Sequence, residues 1–296
     1  MKQKIRGMLL LLITAAIWGT AFVAQSVGLE HLGAFTFNTI RSLIGALILL
    51  PVICKRQKKV NIIEKKDRRT QITGGLVCGI MLCVASNLQQ LGISYSTVGK
   101  SAFLTTLYIV IVPLLGLLFH KKVNGQTWMG VILATVGLYL LCMKEEGFCL
   151  QTGDIYLLLC ALFFSFQIMA VDYYSARVDG LMLAMMQFLV TGVLSAVLMI
   201  ILEHPSWNAV RAAAFPLFYA GAFSCGIAYT LQILGQKYVA PSIASLIMSL
   251  ESVIATLAGW VILHEVLTTK ELVGCALVFG AVLLTQIPLR NSSVKS

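Results

Sequence analysis

Two ionisable residues stand inside long apolar runs, where a charge is expensive. Arg41 lies in the middle of the run 33–53 and Glu251 near the middle of the run 243–263. A charged side chain at mid-membrane depth costs about 2.5–3.5 kcal/mol on insertion scales, and chains that keep one there use it. The two residues sit at similar depths and could reach each other. One reading is a structural ion pair that holds two parts of the chain together. In the other, Arg41 receives a carboxylate from a solute while Glu251 binds an amine or a coupling proton. The sequence leaves both open.

Other polar side chains keep company with these two. Ser245, Ser249, Ser252 and Thr256 follow the spacing i, i+4, i+7 and i+11, which makes one hydroxyl stripe on a helix with Glu251 beside it. Such a stripe gains nothing from lipid, so it should look inward. Thr105 and Tyr108 are three apart and share a helix face. Asn38 precedes Arg41 on the same run, and Tyr229 and Gln232 are likewise three apart. Gln89 and Gln232 either close interhelical hydrogen bonds or line a cavity as neutral donors. Trp18 is a packing residue or, beside a cavity, a ring that could hold an organic cation. The candidate solute-binding set is therefore Trp18, Asn38, Arg41, Gln89, Thr105, Tyr108, Tyr229, Gln232, Ser249 and Glu251. His264 reads best as a helix terminus. The eight cysteines lie mostly within apolar runs, form no CxxC and have no histidine at ligand spacing. They read as small apolar packers, and neither a metal nor a cofactor is expected.

These side chains need helices to position them. The chain is 58% hydrophobic and only 11% charged, against about 25% charged in soluble domains, and its mean hydropathy is +0.89. Ten runs are long and apolar enough to span a bilayer: 7–28, 33–53, 72–93, 98–118, 126–143, 153–173, 180–202, 213–235, 243–263 and 271–288. The expected fold class is an all-α integral membrane protein of ten transmembrane helices. The basic start MKQKIRG resembles a signal peptide, but the apolar run continues too far, and it reads as the first span. The net charge of +10 does not point to nucleic acid. With the N-terminus inside, seventeen Lys and Arg fall on the inner side and four on the outer, a strong positive-inside bias. Both termini are expected in the cytoplasm, the protein in the cell membrane, and the lipid bilayer among its partners.

The chain repeats itself. Shifting Leu88–Phe119 by 143 positions onto Leu231–Ile262 gives ten identities in 32, including Gln89/Gln232, Gly92/Gly235 and Tyr95/Tyr238. A repeat of this period means two halves, 1–145 and 146–296, each with five spans. Five is odd, so the second half enters the membrane upside down. Inverted repeats of this kind are the architecture of many secondary transporters, with the site at mid-depth between the halves. Spans 5 and 10 carry few polar side chains and read as peripheral, as packing or homodimer surfaces.

Three stretches resemble a known family: WGTAF in span 1, GKSAFLTTLYIVIVPLLG (Gly99–Gly116) in span 4, and HEVLTTKELVGCALVFGAVLL (His264–Leu284) from span 9 to span 10. They resemble the drug/metabolite transporter superfamily, specifically its EamA-type ten-span proteins. Glu265 and Gly274 occupy the family's acidic and glycine places, while the first-half counterpart of Glu265 is Lys122. The resemblance covers essentially the whole chain. It implies export or exchange of a small-molecule solute, such as an amino acid or related amine, by alternating access through a central cavity. A proton or sodium ion would serve as the coupling ion.

The main alternative is a polytopic membrane enzyme acting on a lipid-linked substrate. Such enzymes cluster Asp or His at the membrane surface. Here Asp67, Asp154, Asp172 and Asp179 are scattered singly, and neither HxxxxD nor DDxxD occurs. No GxxxxGK[ST] loop offers a route to ATP hydrolysis. No catalytic residue is expected.

Overall fold

The structure, a computed structural model, describes residues 2–57, 65–121, 123–142, 151–264, 266 and 268–286. Among them every regular element is helical: α1 (Lys2–Leu29), α2 (Ala34–Gln57), α3 (Lys65–Ile93), α4 (Val98–Thr106), α5 (Tyr108–Leu118), α6 (Gly125–Cys142), α7 (Thr152–Ser175) and α8 (Gly180–Leu202) come first. Then follow α9 (Trp207–Ala212), α10 (Ala214–Phe218), a π-helical segment Tyr219–Ala228, α11 (Tyr229–Gln236), α12 (Pro241–Met248), α13 (Leu250–Ile262) and α14 (Thr269–Gln286). The junction expected between the halves falls largely on 143–150, outside the described residues, as do Lys122 and Glu265.

Among the described residues eight helical stretches are long and apolar enough to cross a membrane. They coincide with the first to fourth and sixth to ninth runs of the sequence. The fifth and tenth runs appear as α6 and α14, each 18 residues, at the short end of the spanning range. These two pack antiparallel on each other. Gly130 faces Thr285 and Ala281, and Gly137 faces Gly274, Leu277 and Val278.

Local chemistry starts the helices. Thr97 caps α4 by accepting from the Lys100 N–H. Asp179 caps α8 through Leu181 and Met182. Gln151 and Asp154 form a capping box on α7, and Pro241 occupies the first turn of α12. Each cap satisfies orphan donors that lipid cannot.

Pro113 invites a kink in the fourth span, but the break lies six residues earlier, at Leu107 between α4 and α5. The ninth apolar run breaks at Ser249, with no proline near it. Leu107 and Ser249 are 142 apart, so the two breaks fall within one residue of the same place in the 143-residue repeat. Hydroxyls bonded to their own helix accompany both. Ser245, Ser249 and Ser252 each donate to a carbonyl three residues back, at 3.0, 2.7 and 2.7 Å, and Thr106 donates to Ala102 O. Hydroxyls that compete for helix carbonyls bend the helix.

The linkers that lead into the two broken stretches also repeat. The Tyr95 N–H bonds Gly92 O at 3.1 Å, and the Tyr238 N–H bonds Gly235 O at 3.0 Å. The two linkers sit at opposite ends of α1. Ile93 and Val98 cluster with Phe22 and Val23, whereas Gly235 lies against Gly7.

Glycine sets how closely α2 meets the π-helical segment. A Cβ on Gly221 would stand 2.6 Å from Ile44 Cβ and 3.0 Å from Arg41 O. Gly221→Val is expected to cost about 1–3 kcal/mol, the usual penalty of overpacking. A lowered thermal unfolding midpoint in detergent is the measurement. Gly280→Ala, whose Cβ would meet nothing within 4 Å, should leave the midpoint unchanged.

Candidate functional site

Seven spanning stretches surround a central cavity of about 30 Å³. One water needs about 10–15 Å³ of such space, so the cavity has room for about two or three waters and not for a metabolite. α1 contributes Trp18, Phe22 and Gln25, and α7 contributes Phe164, Gln167 and Ile168. Tyr229 and Gln232 come from α11, and Ser224 from the π-helical segment. Arg41, Gln89, Thr105, Tyr108 and Glu251 complete the wall from α2, α3, α4, α5 and α13.

No ion pair joins Arg41 to Glu251. Arg41 Nη1 donates to Gln25 Oε1 at 2.5 Å. The Gln25 amide is oriented for this by its Nε2, which donates to Ala21 O at 3.2 Å. The guanidinium also lies 5.7 Å from the centroid of the Phe37 ring. Glu251 Oε1 accepts from the Tyr108 hydroxyl at 2.8 Å. Each charged residue therefore has a neutral partner, and the structural ion pair suggested by sequence is not formed. Tyr108 and Glu251 are 143 apart, so they occupy the same place in the two copies of the repeat. They meet next to the two helix breaks.

The rest of the wall is aromatic and amide. Trp18 packs on Tyr229 with centroids 4.5 Å apart and planes tilted by 57°. Phe188 meets the Tyr229 ring edge-on at 5.2 Å. The Trp18 indole N–H is buried with no partner. Gln232 Nε2 donates to Gln167 Oε1 at 3.2 Å, and Gln167 Nε2 reaches Gln187 Oε1 at 3.4 Å. The Gln187 Nε2 is left unpartnered. The Trp18 donor in the wall and the Gln187 donor one amide behind it thus lack acceptors, and in the low dielectric of a membrane protein this makes them receptive to one. Among the described residues no three His, Cys, Asp or Glu side chains come together to hold a metal ion.

Of the ten residues proposed from sequence, eight line the cavity: Trp18, Arg41, Gln89, Thr105, Tyr108, Tyr229, Gln232 and Glu251. Asn38 and Ser249 do not. Asn38 Nδ2 is taken up by α3, donating to Ser86 O and Asn87 Oδ1, both at 2.9 Å. Asn87 in turn donates to Ser195 on α8 at 2.8 Å, so this network ties three helices together. Ser249 donates to Leu246 O at its own helix break. Gln25 and Gln167 were missed. Gln25 is seven residues beyond Trp18, two turns along one face, and that spacing could have found it. Gln167 lies in FFSFQI, the counterpart of the span 1 motif. His264, with φ of 55°, sits just past the end of α13 as a left-handed terminus.

The family model of the EamA-like transporter family matches residues 5–143 and again 151–287. A protein of Archaeoglobus fulgidus described as an uncharacterized transporter is 30% identical, over 94% of this chain and 84% of its own length. YoaV of Bacillus subtilis, also described as an uncharacterized transporter, is 24% identical over 93% of this chain and 94% of its own. A solved crystal structure superposes with a TM-score of 0.77 at 18% identity, covering 94% of this chain and 96% of that one. That likeness is one of fold.

The Tyr108–Glu251 contact makes a direct prediction. Tyr108→Phe removes the one donor found for Glu251 and leaves a buried acceptor bare, a cost of about 1–3 kcal/mol. The thermal midpoint in detergent should fall. In a double-mutant cycle with Glu251→Leu the two losses should be non-additive, because the second substitution removes the group the first one strands.

Proposed function

The chain belongs to the EamA-like transporter family and is a multi-pass membrane transporter rather than an enzyme, and on that premise we propose that it is a secondary carrier working by alternating access. The proposed cargo is a small zwitterion or amine, an amino acid or a related compound, which the carrier exports or exchanges. One observation supports this above others: a central cavity keeps an arginine and a glutamate in its wall, each bonded to a neutral side chain and not to the other. A solute carboxylate can take the remaining guanidinium donors of Arg41. A solute ammonium can take the place of the Tyr108 hydroxyl at Glu251. The aromatic pair of Trp18 and Tyr229 and the amides of Gln167 and Gln232 would hold the part between.

The size of the cavity supports alternating access. At about 30 Å³ it cannot hold the cargo, so the lining helices must separate to admit it. A ten-span architecture of two inverted five-helix repeats would provide the movement. The 143-residue repeat, the two matches to one family model, and helix breaks at corresponding positions favour that architecture. In this reading α6 and α14 are the fifth and tenth spans and turn an apolar side to lipid. Both termini face the cytoplasm of a cell whose outer boundary membrane holds the protein, in keeping with the seventeen-to-four charge bias. A proton is the coupling ion, exchanged at the Glu251 carboxyl.

Reconstitution into liposomes with a panel of labelled amino acids and amines, with and without a pH gradient, tests the reading. Transport of at least one zwitterion or amine is expected. Arg41→Gln should weaken transport of carboxylate-bearing solutes by about 10- to 100-fold, the worth of one charge-assisted hydrogen bond, and spare simple amines. Glu251→Gln should insert normally yet lose the response to the pH gradient. Wild-type transport by that variant at every pH would rule out the role given to Glu251.

A further inference from the structure

Two glycine contacts, at opposite ends of α1, repeat each other. At one end the last turn of α3 meets the first turns of α7. A Cβ on Gly153 would stand 2.8 Å from Tyr95 Cβ and 3.2 Å from Gly92 O. A Cβ on Gly92 would stand 3.1 Å from Gly153 O and would overlap the Leu157 side chain. At the other end the last turn of α11 meets the early turns of α1. A Cβ on Gly7 would stand 2.9 Å from Gly235 O and 3.2 Å from Tyr238 Cβ, and one on Gly235 would stand 2.9 Å from Leu11 Cγ and 3.0 Å from Gly7 O.

The correspondence is residue by residue. Gly92 and Tyr95 become Gly235 and Tyr238 under the 143-residue shift, while Gly7 and Leu11 become Gly153 and Leu157 under a shift of 146. In both places backbone lies against backbone, and the same Tyr-to-Gly turn hydrogen bond closes the helix end. No backbone–backbone hydrogen bond among the described residues crosses either glycine contact; the Lys100–Asp154 pair joins α4 to α7 one residue from Gly153 and would part with the first. Parting the helices there would leave no backbone group unsatisfied in the membrane; what it would separate is packing, of Leu157 and Leu11 against the facing glycines. With both contacts formed, the cavity between them measures about 30 Å³.

We infer that these two contacts are a pair of gates. One membrane face closes when Gly92 and Tyr95 seat on Gly153 and Leu157. The other closes when Gly235 and Tyr238 seat on Gly7 and Leu11. The carrier alternates by parting one contact while the other holds, and glycine is required at all four positions because any Cβ keeps the gate ajar. This inference rests on the inverted-repeat, alternating-access reading proposed above.

The test uses the full chain in lipid nanodiscs, with spin labels on cysteines placed by Ser94→Cys and Gln151→Cys across one contact, and by Lys4→Cys and Lys237→Cys across the other. Pulsed electron resonance reads the two distances. Gly153→Ala should lengthen the first distance and leave the second as in the unsubstituted chain. Gly7→Ala should lengthen only the second. Tyr95→Ala and Tyr238→Ala remove atoms instead of adding them, so they serve if an alanine variant fails to fold, and each should loosen only its own end. If no substitution moves either distance, the gates do not exist. If Gly153→Ala opens its end while neither Gly7→Ala nor Tyr238→Ala opens the other, the pairing fails but the repeat reading stands. Lengthening of both distances together by a single substitution would sink the alternating-access reading itself.

Discussion

A polar group in the middle of a bilayer has to find its hydrogen bond inside the protein, because the surrounding hydrocarbon offers none. Glu251 meets this demand through the hydroxyl of Tyr108, and the consequences reach far from that bond. The two residues come from the fourth and ninth spans, so those spans must cross close enough for a phenol to touch a carboxyl. Gly19 lets α1 lie against the same turn: a Cβ there would meet Glu251 O at 2.7 Å and Ile254 Cγ2 at 2.7 Å. The bond thus fixes how α1, α5 and α13 meet, and the cavity is the space left around it.

The same constraint explains where the helices are irregular. The breaks at Leu107 and Ser249, and the π-helical stretch from Tyr219 to Ala228, loosen regular backbone at membrane depth. Irregular backbone is tolerated there only where protein or a cavity covers it, and π-helical turns gather at functional sites. Thr14 on α1 donates to Ala228 O at 3.1 Å and Thr230 donates to Gly226 O at 2.7 Å, so side chains cover carbonyls of this segment. Tyr219, at its start, meets Thr20 of α1 at 2.5 Å.

Much of this was legible in the sequence because membrane proteins write their constraints in plain composition. Apolar runs mark eight long helices within a few residues, and the cost of burying charge singles out Arg41 and Glu251. What stayed hidden is partner choice. Periodicity put the stripe Ser245, Ser249, Ser252 and Thr256 on one face, correctly, but could not tell that these hydroxyls turn back on their own helix. Asn38 has the chemistry of a site residue and shares a helix with Arg41, yet α3 presents it with Ser86 O and Asn87, and a network took it. The direct meeting of Tyr108 and Glu251 was hidden for another reason. The repeat alignment places them on top of each other, and an alignment column gives no hint that its two members touch. Pro113 was a misleading signal, since the break it suggests belongs to the repeat and recurs where no proline stands.

The two copies have also diverged in how firmly they are held. Lys100 pairs with Asp154 at 2.7 Å, and Lys121 pairs with Asp172, so the fourth span is tied to α7 near both of its ends. The Asp154 side chain is 2% exposed, which sets this pair apart from the exposed surface bridges that contribute little. The corresponding positions in the other copy are Ile243 and His264 against Met8 and Ser26, and no ion pair can form among them. Packing alone holds α12 and α13 to α1, through Gly19 and the cluster of Phe22, Val23, Ala255 and Ala258. Packing against a glycine surface slides more readily than a pair of charges separates. Glu251 stands on this less tethered span, and its partner Tyr108 stands on the pinned one. The hydrogen bond between them therefore joins a span held to α7 by ion pairs to a span held to α1 by packing.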